Sequence, residues 1–285
     1  MKYKIFIDGK EGTTGLKIFE RFEGRDDLEI LLIDEDKRKD VNERKRLINE
    51  SDYTFLCLPD SAAIEAVSLC ENPNTIIIDA STAHRTNPDW AYGFPELSSE
   101  HRKKVETSHR IAVPGCYASG FNAIVYPLVK SGILPSDYPV VCHAVSGYSG
   151  AGKKAIAQYE DEERDFQLES PRLYALTQEH KHLPEMQKVS GLSFKPAFSP
   201  YICDYFSGMS VSIPLHIRML NSSKGPAVRA LRAQSDKKEY RSVARKYIEK
   251  EENLTLKEIQ IIDLIVENDE IKGVIDELGI EYFAP

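Results

Sequence analysis

The sequence predicts an α/β protein: a doubly wound, mostly parallel sheet over residues 1–115, followed by an α+β region over residues 116–285. Three observations carry this reading. Short apolar runs alternate with helical segments as far as Val113. A glycine-rich turn joins the first run to the first helix. Beyond Pro114 the alternation stops, and Met209–Met219 (MSVSIPLHIRM) instead shows the period of two of a half-buried strand.

The first run, Lys2–Asp8 (KYKIFID), reads as a strand, and the turn Gly9–Gly15 follows it. Leu16, Ile18, Phe19 and Phe22 then mark a helix. Leu28–Ile33 is a second strand, and Val41–Asn49 a polar helix. Tyr53–Leu58 is a third strand, closed by Pro59. Ser61–Cys70 is an Ala-rich helix with Ser61 as its expected N-cap. Thr75–Asp79 and Arg110–Val113 supply two further strands. In the second region, Phe121–Val129 and the charged segment Lys153–Phe166 read as helices, and Val140–Ser146 as a strand. The tail, Lys238–Pro285, reads as two or three amphipathic segments.

Composition narrows the function. Hydrophobic residues make up 41% of the 285, enough for a sizeable core. A net charge of -8, with only short basic clusters flanked by acids, argues against a nucleic-acid grip. No apolar run approaches the ~20 residues of a membrane span. The amino end is a charged strand-like segment and not an apolar leader, so the expected setting is cytoplasmic. Five cysteines (Cys57, Cys70, Cys116, Cys142 and Cys203) contain no Cys-x-x-Cys pair, which speaks against a disulfide framework or a zinc site.

The turn Asp8-Gly9-Lys10-Glu11-Gly12-Thr13-Thr14-Gly15 is a G-x-x-G-x-x-G variant in a strand–loop–helix setting. Glycines let the backbone approach a pyrophosphate, and the unpaired amides of the following helix hold the anion. Gly9, Gly12 and Gly15, with the hydroxyls of Thr13 and Thr14, are therefore candidate cofactor ligands in a Rossmann-type dinucleotide-binding domain. After the second strand, Asp34-Glu35-Asp36 suits the ribose hydroxyls of NAD, whereas Lys37-Arg38 suits the 2′-phosphate of NADP. The adjacent cations favour NADP without settling the choice.

Val113-Pro114-Gly115-Cys116-Tyr117 ends a strand, turns, and starts a helix at Cys116. A helix N-terminus stabilises a thiolate and can hold an oxyanion, so Cys116 is the candidate nucleophile. His180-Lys181-His182-Leu183-Pro184-Glu185 is the candidate source of its proton partner. In an extended stretch His180 and His182 would share a face, and Glu185 could orient one ring. No third ligand accompanies the two histidines, so a metal is not expected.

The order of motifs resembles the short type of N-acetyl-gamma-glutamyl-phosphate reductase. The resemblance rests on Asp8–Leu16, Cys57-Leu58-Pro59-Asp60, Asp79-Ala80-Ser81-Thr82-Ala83-His84-Arg85, Tyr92–Leu97, Pro114–Tyr117, His143–Lys153, His180–Glu185 and Ser212–Leu215, and covers roughly residues 1–220. It implies NADPH-dependent reduction of an acyl phosphate to a semialdehyde in arginine biosynthesis. It further implies Cys116 as thioester nucleophile, His182 as acid/base, and Pro59 and Ser81 beside the nicotinamide. A small-molecule acyl phosphate as partner, with neither nucleic acid nor membrane, and a homo-oligomer built on a substrate/dimerisation domain would follow. Ser149 in the Ser149–Lys153 turn suits a phosphate, Arg85 a substrate anion, and His180 and Glu185 the remainder of the substrate. Tyr92–Leu97 is expected to pack structurally. The tail departs from the family pattern, which expects Asp-Asn-Leu, then Lys-Gly, then a Gly/Ala-rich helix; Ile271–Pro285 contains Lys272-Gly273 but neither an Asp-Asn-Leu before it nor a Gly/Ala-rich stretch after it. The alternatives are another semialdehyde dehydrogenase of this fold, or a non-catalytic relative lacking the closing helix.

Overall fold

The computed structural model describes residues 2–10, 13–215, 217–220, 230–233, 260–267 and 270–283. It divides into two compact units, Met1–Gln234 and Ser235–Pro285. The first contains two main sheets. The elements of the first sheet region are β1 (Tyr3–Asp8), α1 (Thr13–Phe22), β2 (Leu28–Leu31), α2 (Val41–Glu50), β3 (Tyr53–Leu56), α3 (Asp60–Ser68), β4 (Ile76–Asp79), β5 (Ala91–Tyr92), α4 (Ser99–Thr107) and β6 (Arg110–Ala112). Its strands run in the order β2-β1-β3-β4-β6-β5, and every pairing is parallel. Phe6, Leu56, Ile77 and Ala112 fill the core, with Leu47, Ile48, Ala63 and Ala66 from the helices against them. In β3 and β4 buried residues alternate with half-buried ones, so both faces are at least partly covered, and such strands read as the apolar runs seen in the sequence.

The cysteine helix α5 (Cys116–Lys130) opens the next region, followed by β7 (Val141–Gly147), α6 (Lys153–Tyr159), β8 (Arg172–Leu173), α7 (Leu183–Ser190), β9 (Ala197–Cys203) and β10 (Met209–Ser212). The strands form a mixed sheet, β10-β7-β9-β8, in which only β7 and β9 run parallel. Cys142 and Ala144 of β7 and Phe198 of β9 share a core with Tyr117, Phe121 and Val125 of α5 and Leu183 and Met186 of α7. The other face carries His143 and Val145 toward solvent, as the α+β expectation requires. Strands β11 (Ile217–Leu220) and β12 (Ala230–Ala233) form an antiparallel pair.

Several local expectations are corrected. Helix α3 starts at Asp60 with Pro59 as N-cap, two residues ahead of the Ser61 cap expected. The stretch expected to be one helix over Lys153–Phe166 ends at Tyr159, with a 3-10 turn at Phe166–Glu169. There Asp161 and Asp165 accept the backbone N–H groups of Glu163 and Gln167, which favours turns over helix. The alternating run Met209–Met219 is not one strand: β10 stops at Ser212, before Pro214, which lacks the N–H a ladder needs. Sequence reading missed β5 and α4 altogether. In the second unit the described tail is a three-stranded antiparallel sheet of β13 (Ile261–Glu267), β14 (Glu270–Asp276) and β15 (Glu281–Phe283). No helix among the described residues is long and apolar enough to cross a membrane.

Candidate active site

The β1–α1 turn has the form its glycines require. Gly9 takes a φ of +88°, and a Cβ there would overlap the Cys57 carbonyl oxygen. A Cβ on Gly15 would overlap the Gly9 carbonyl. Bare backbone at both positions brings the start of α1 against the ends of β1 and β3, and among the described residues no group accepts from the Thr13 or Thr14 N–H. Gly12 and the side chain of Thr13 lie outside the described residues; Thr14 is exposed in the first turn. A cleft of about 660 Å³ runs from this turn, lined by Thr14, Lys17 and Arg21 of α1, Cys57 and Leu58 after β3, Ala80 after β4, and the turn Ser149–Gly152. The cradle and the cleft fit a dinucleotide.

Lys37 and Arg38 are exposed and paired with the acids three residues before them, Asp34 at 3.5 Å and Glu35 at 4.0 Å. Lys17 and Arg21, which sequence reading overlooked, face the cleft without an ion-pair partner among the described residues. Their i,i+4 spacing on α1, in register with Thr14, is the signal that could have found them. Pro59 sits at the N-cap of α3. Ser81 is buried, and its hydroxyl donates to Asp79 at 2.7 Å. Asp79 also takes the Ser81 N–H, and its Oδ2 lies 2.6 Å from His84 Nδ1, with that imidazole stacked on Trp90. The Ser81 hydroxyl thus holds its own turn, and the residue shapes the end of β4.

Cys116 is the first residue of α5 and is exposed, whereas Cys142 is buried and Cys57 half-buried. Burial pushes the Cys57 and Cys142 thiols up to about 12, so neither is a nucleophile near neutral pH. All five cysteines are free. Gly115, the N-cap, is where the distant groups converge. A Cβ on it would stand 2.5 Å from His182 Nε2 and 2.6 Å from Arg85 Nη1. Only glycine lets that imidazole reach the backbone beside the thiol.

His182 is not in an extended stretch, as the shared-face expectation required. It is the N-cap of α7 in a helical conformation, with Leu183 starting the helix and Pro184 second in its first turn, where a missing N–H costs nothing. The two imidazoles still meet, edge to face at 4.7 Å, and His180 Nδ1 lies 3.2 Å from the His182 backbone N–H. Burial, then the positive charges and the second imidazole nearby, lower His182 to about 3; burial and Lys181 lower His180 to about 4. His182 is thus neutral near neutral pH. Its buried Nδ1 has no hydrogen-bond partner among the described residues.

Glu185 orients neither imidazole and presents no free oxygen to a substrate. It is 1% exposed; Oε1 accepts from Tyr92 Oη at 2.7 Å and from the Gly115 N–H at 2.8 Å, and Oε2 accepts from Arg85 Nη1 at 3.2 Å. Arg85 also donates to the carbonyls of Val113 and Ala80, joining the ends of β6 and β4 to α7. These corrections have one cause: a buried carboxylate and a buried guanidinium are stable only when paired. Tyr92, expected to be mere packing, is a polar member of the cluster, and the buried Asn122 donates to it at 3.1 Å. No group of metal-binding side chains occurs among the described residues.

Residues 6–105 match the family model of the semialdehyde dehydrogenase NAD binding domain, and residues 116–272 that of the semialdehyde dehydrogenase dimerisation domain. Solved aspartate semialdehyde dehydrogenases share the fold. One from Vibrio cholerae has a TM-score of 0.55 at 14% identity, covering 86% of this chain and 79% of that one. One from Candida albicans, solved with NADP, has a TM-score of 0.51 at 13% identity, covering 76% and 73%. Fold and domain matches define an oxidoreductase of the semialdehyde dehydrogenase class. An N-acetyl-gamma-glutamyl-phosphate reductase 2 of Pseudomonas putida is 48% identical over 216 residues, 76% of this chain and 69% of that protein. A reductase of the same name from Sinorhizobium medicae is 48% identical over 219 residues, 76% and 71%. The chain belongs to the N-acetyl-gamma-glutamyl-phosphate reductase family.

Proposed function

We propose that this protein reduces N-acetyl-gamma-glutamyl phosphate to N-acetylglutamate semialdehyde through a thioester on Cys116, as a step of arginine biosynthesis. The observation that carries the reading is the Cys116 elbow: an exposed thiol at a helix start, with the His182 imidazole admitted beside it by Gly115. His182, neutral at working pH, takes the thiol proton as sulfur attacks the acyl carbon. The C–O bond to the phosphate group breaks, and phosphate leaves. The open amides of α5 face the oxyanion that forms in this step. NADPH, when bound, supplies the hydride that converts the thioester carbon to the aldehyde level. His182 then returns its proton to the departing sulfur. With Nδ1 unpartnered, the charged ring is held only while a negative charge faces it, which favours that return.

Gly9, Thr14 and Gly15 cradle the cofactor diphosphate in this reading, and Lys37 with Arg38 meets the 2′-phosphate by exchanging Asp34 and Glu35 for it. Ser149 lies on the cleft wall opposite α1, where a phosphate can reach it. His180 stands beside His182 on the substrate side. The second domain's match supports a homo-oligomer as the working form, and five unpaired cysteines suit the reducing cytoplasm.

The test is Cys116→Ser, assayed by phosphate-dependent oxidation of N-acetylglutamate semialdehyde. Turnover is expected to fall at least ~10³-fold, the scale on which a covalent nucleophile matters. NADPH titration should give an unchanged affinity. Undiminished turnover would refute the nucleophile.

A further inference from the structure

Behind the thiol lies a chain of hydroxyls that the chemistry above does not use. Tyr117, the residue after Cys116, is 3% exposed, and its ring meets His180, His182 and Phe198 edge-on at 5.3–5.9 Å. Its Oη accepts a hydrogen bond from Tyr174 Oη at 3.1 Å and stands 2.8 Å from Ser146 Oγ. A phenol carries one proton. With Tyr174 donating to Tyr117, either hydroxyl of the Tyr117–Ser146 pair can donate to the other, and when Tyr117 donates, Ser146 keeps its own proton for another partner. At the other end, Tyr174 Oη keeps its acceptor capacity. Among the described residues nothing donates to Tyr174 Oη, and Ser146 Oγ has no hydrogen-bond partner besides Tyr117.

Both ends are half-buried rather than sealed. Ser146 is the penultimate residue of β7, on the same side as Cys142 and Ala144, the side that packs on the cysteine helix. Tyr174 follows β8, its N–H bonded to the Pro200 carbonyl at 3.1 Å. Burial raises the Tyr174 phenol pKa, as do its bond to Tyr117 and the charge of the Cys116 sulfur, so Tyr174 stays protonated and can donate to Tyr117.

We propose that Tyr174–Tyr117–Ser146 is the subsite that reads the acylamino group of the substrate. Its open acceptor and open donor complement the N–H and C=O of a secondary amide. A free ammonium has no acceptor to meet Ser146, and no carboxylate stands in the chain of hydroxyls to balance its charge. A site built to hydrogen-bond a group discriminates against an analogue without it, because its own polar atoms are then left unpaired. The assignment rests on the reading of the Cys116 site as acting on an N-acylated acyl phosphate.

The experiment measures binding as well as turnover, so that the two readings fail separately. N-acetylglutamate and glutarate, which lacks the acylamino group, are titrated into the NADP-loaded full chain, its Tyr174→Phe and Ser146→Ala variants, and Cys116→Ser. In both hydroxyl variants the preference for N-acetylglutamate over glutarate should shrink about tenfold, and the KM for N-acetylglutamate semialdehyde should rise more than kcat falls. Cys116→Ser should keep the preference. An equal loss for both ligands, or an unaltered preference in the hydroxyl variants, overturns the subsite. Undiminished turnover in Cys116→Ser with the ligand preference intact would count against the thioester reading alone.

Discussion

Two strand–turn–helix junctions in this chain use glycine for opposite ends. At β1–α1, Gly9 and Gly15 make room for the chain's own carbonyls, so the turn closes on itself and the amides of the helix stay open to a ligand. At β6–α5, Gly115 makes room for side chains from far away in sequence, His182 and Arg85, and its N–H is held by Glu185. The first junction is closed by backbone alone, the Cys57 carbonyl against Gly9 and the Gly9 carbonyl against Gly15, and suits an anion. The second is assembled by α7, which fixes the helix start and brings in the imidazole. The same local device therefore yields a binding cradle or a reactive thiol according to what packs against it.

The largest test of this contrast is Gly115→Ala. Its Cβ needs the space of His182 Nε2 and Arg85 Nη1, so kcat should fall about 100-fold, the effect of an ångström-scale displacement of a catalytic group. NADPH binding should survive. Gly9→Ala should do the reverse, weakening NADPH by about tenfold in titration through a strained positive φ worth ~1–3 kcal/mol. If both variants lose the same function, the division between the junctions is wrong.

Glu185→Gln sharpens the point at smaller cost to rate. The amide can still accept from Gly115 and Tyr92 but leaves Arg85 without its anion. Denaturant unfolding should show a loss of ~3 kcal/mol, the usual effect of orphaning a buried charge. Turnover should drop less than in Gly115→Ala, because a neutral acceptor still holds the helix start.

The smallest effect is an absence. His182 is lowered to about 3, so kcat/KM should show no imidazole limb near 6.5. Stability carries the complementary sign. The folded state resists protonating His180 and His182 while the unfolded chain accepts protons below 6.5, so stability is lost as pH falls from 6.5 toward about 4. Denaturation midpoints that stay constant across that interval would show that the pair is not held neutral.

Much of the architecture was legible because it is local. The parallel sheet follows from apolar runs of strand length, and the glycine loop and cysteine elbow from residues within one turn of each other. Failures were local competitions that periodicity does not see: Asx turns ended α6 early, and Pro214 stopped β10. The roles of Glu185, Arg85 and Tyr92 were misread because polar residues in a motif look alike whether they face a ligand or one another.

Residue order alone was sufficient for the two turns and the thiol at a helix start, since each depends on backbone geometry within a few positions, and for the family, which rests on the resemblance of several motifs spread along the chain. The partners across the fold needed coordinates. Glu185 reaches Gly115 from 70 residues away, Tyr92 from 93 and Arg85 from 100. Such contacts exist only once burial makes an unpaired charge or hydroxyl costly, and that cost arises from packing, not from spacing along the chain.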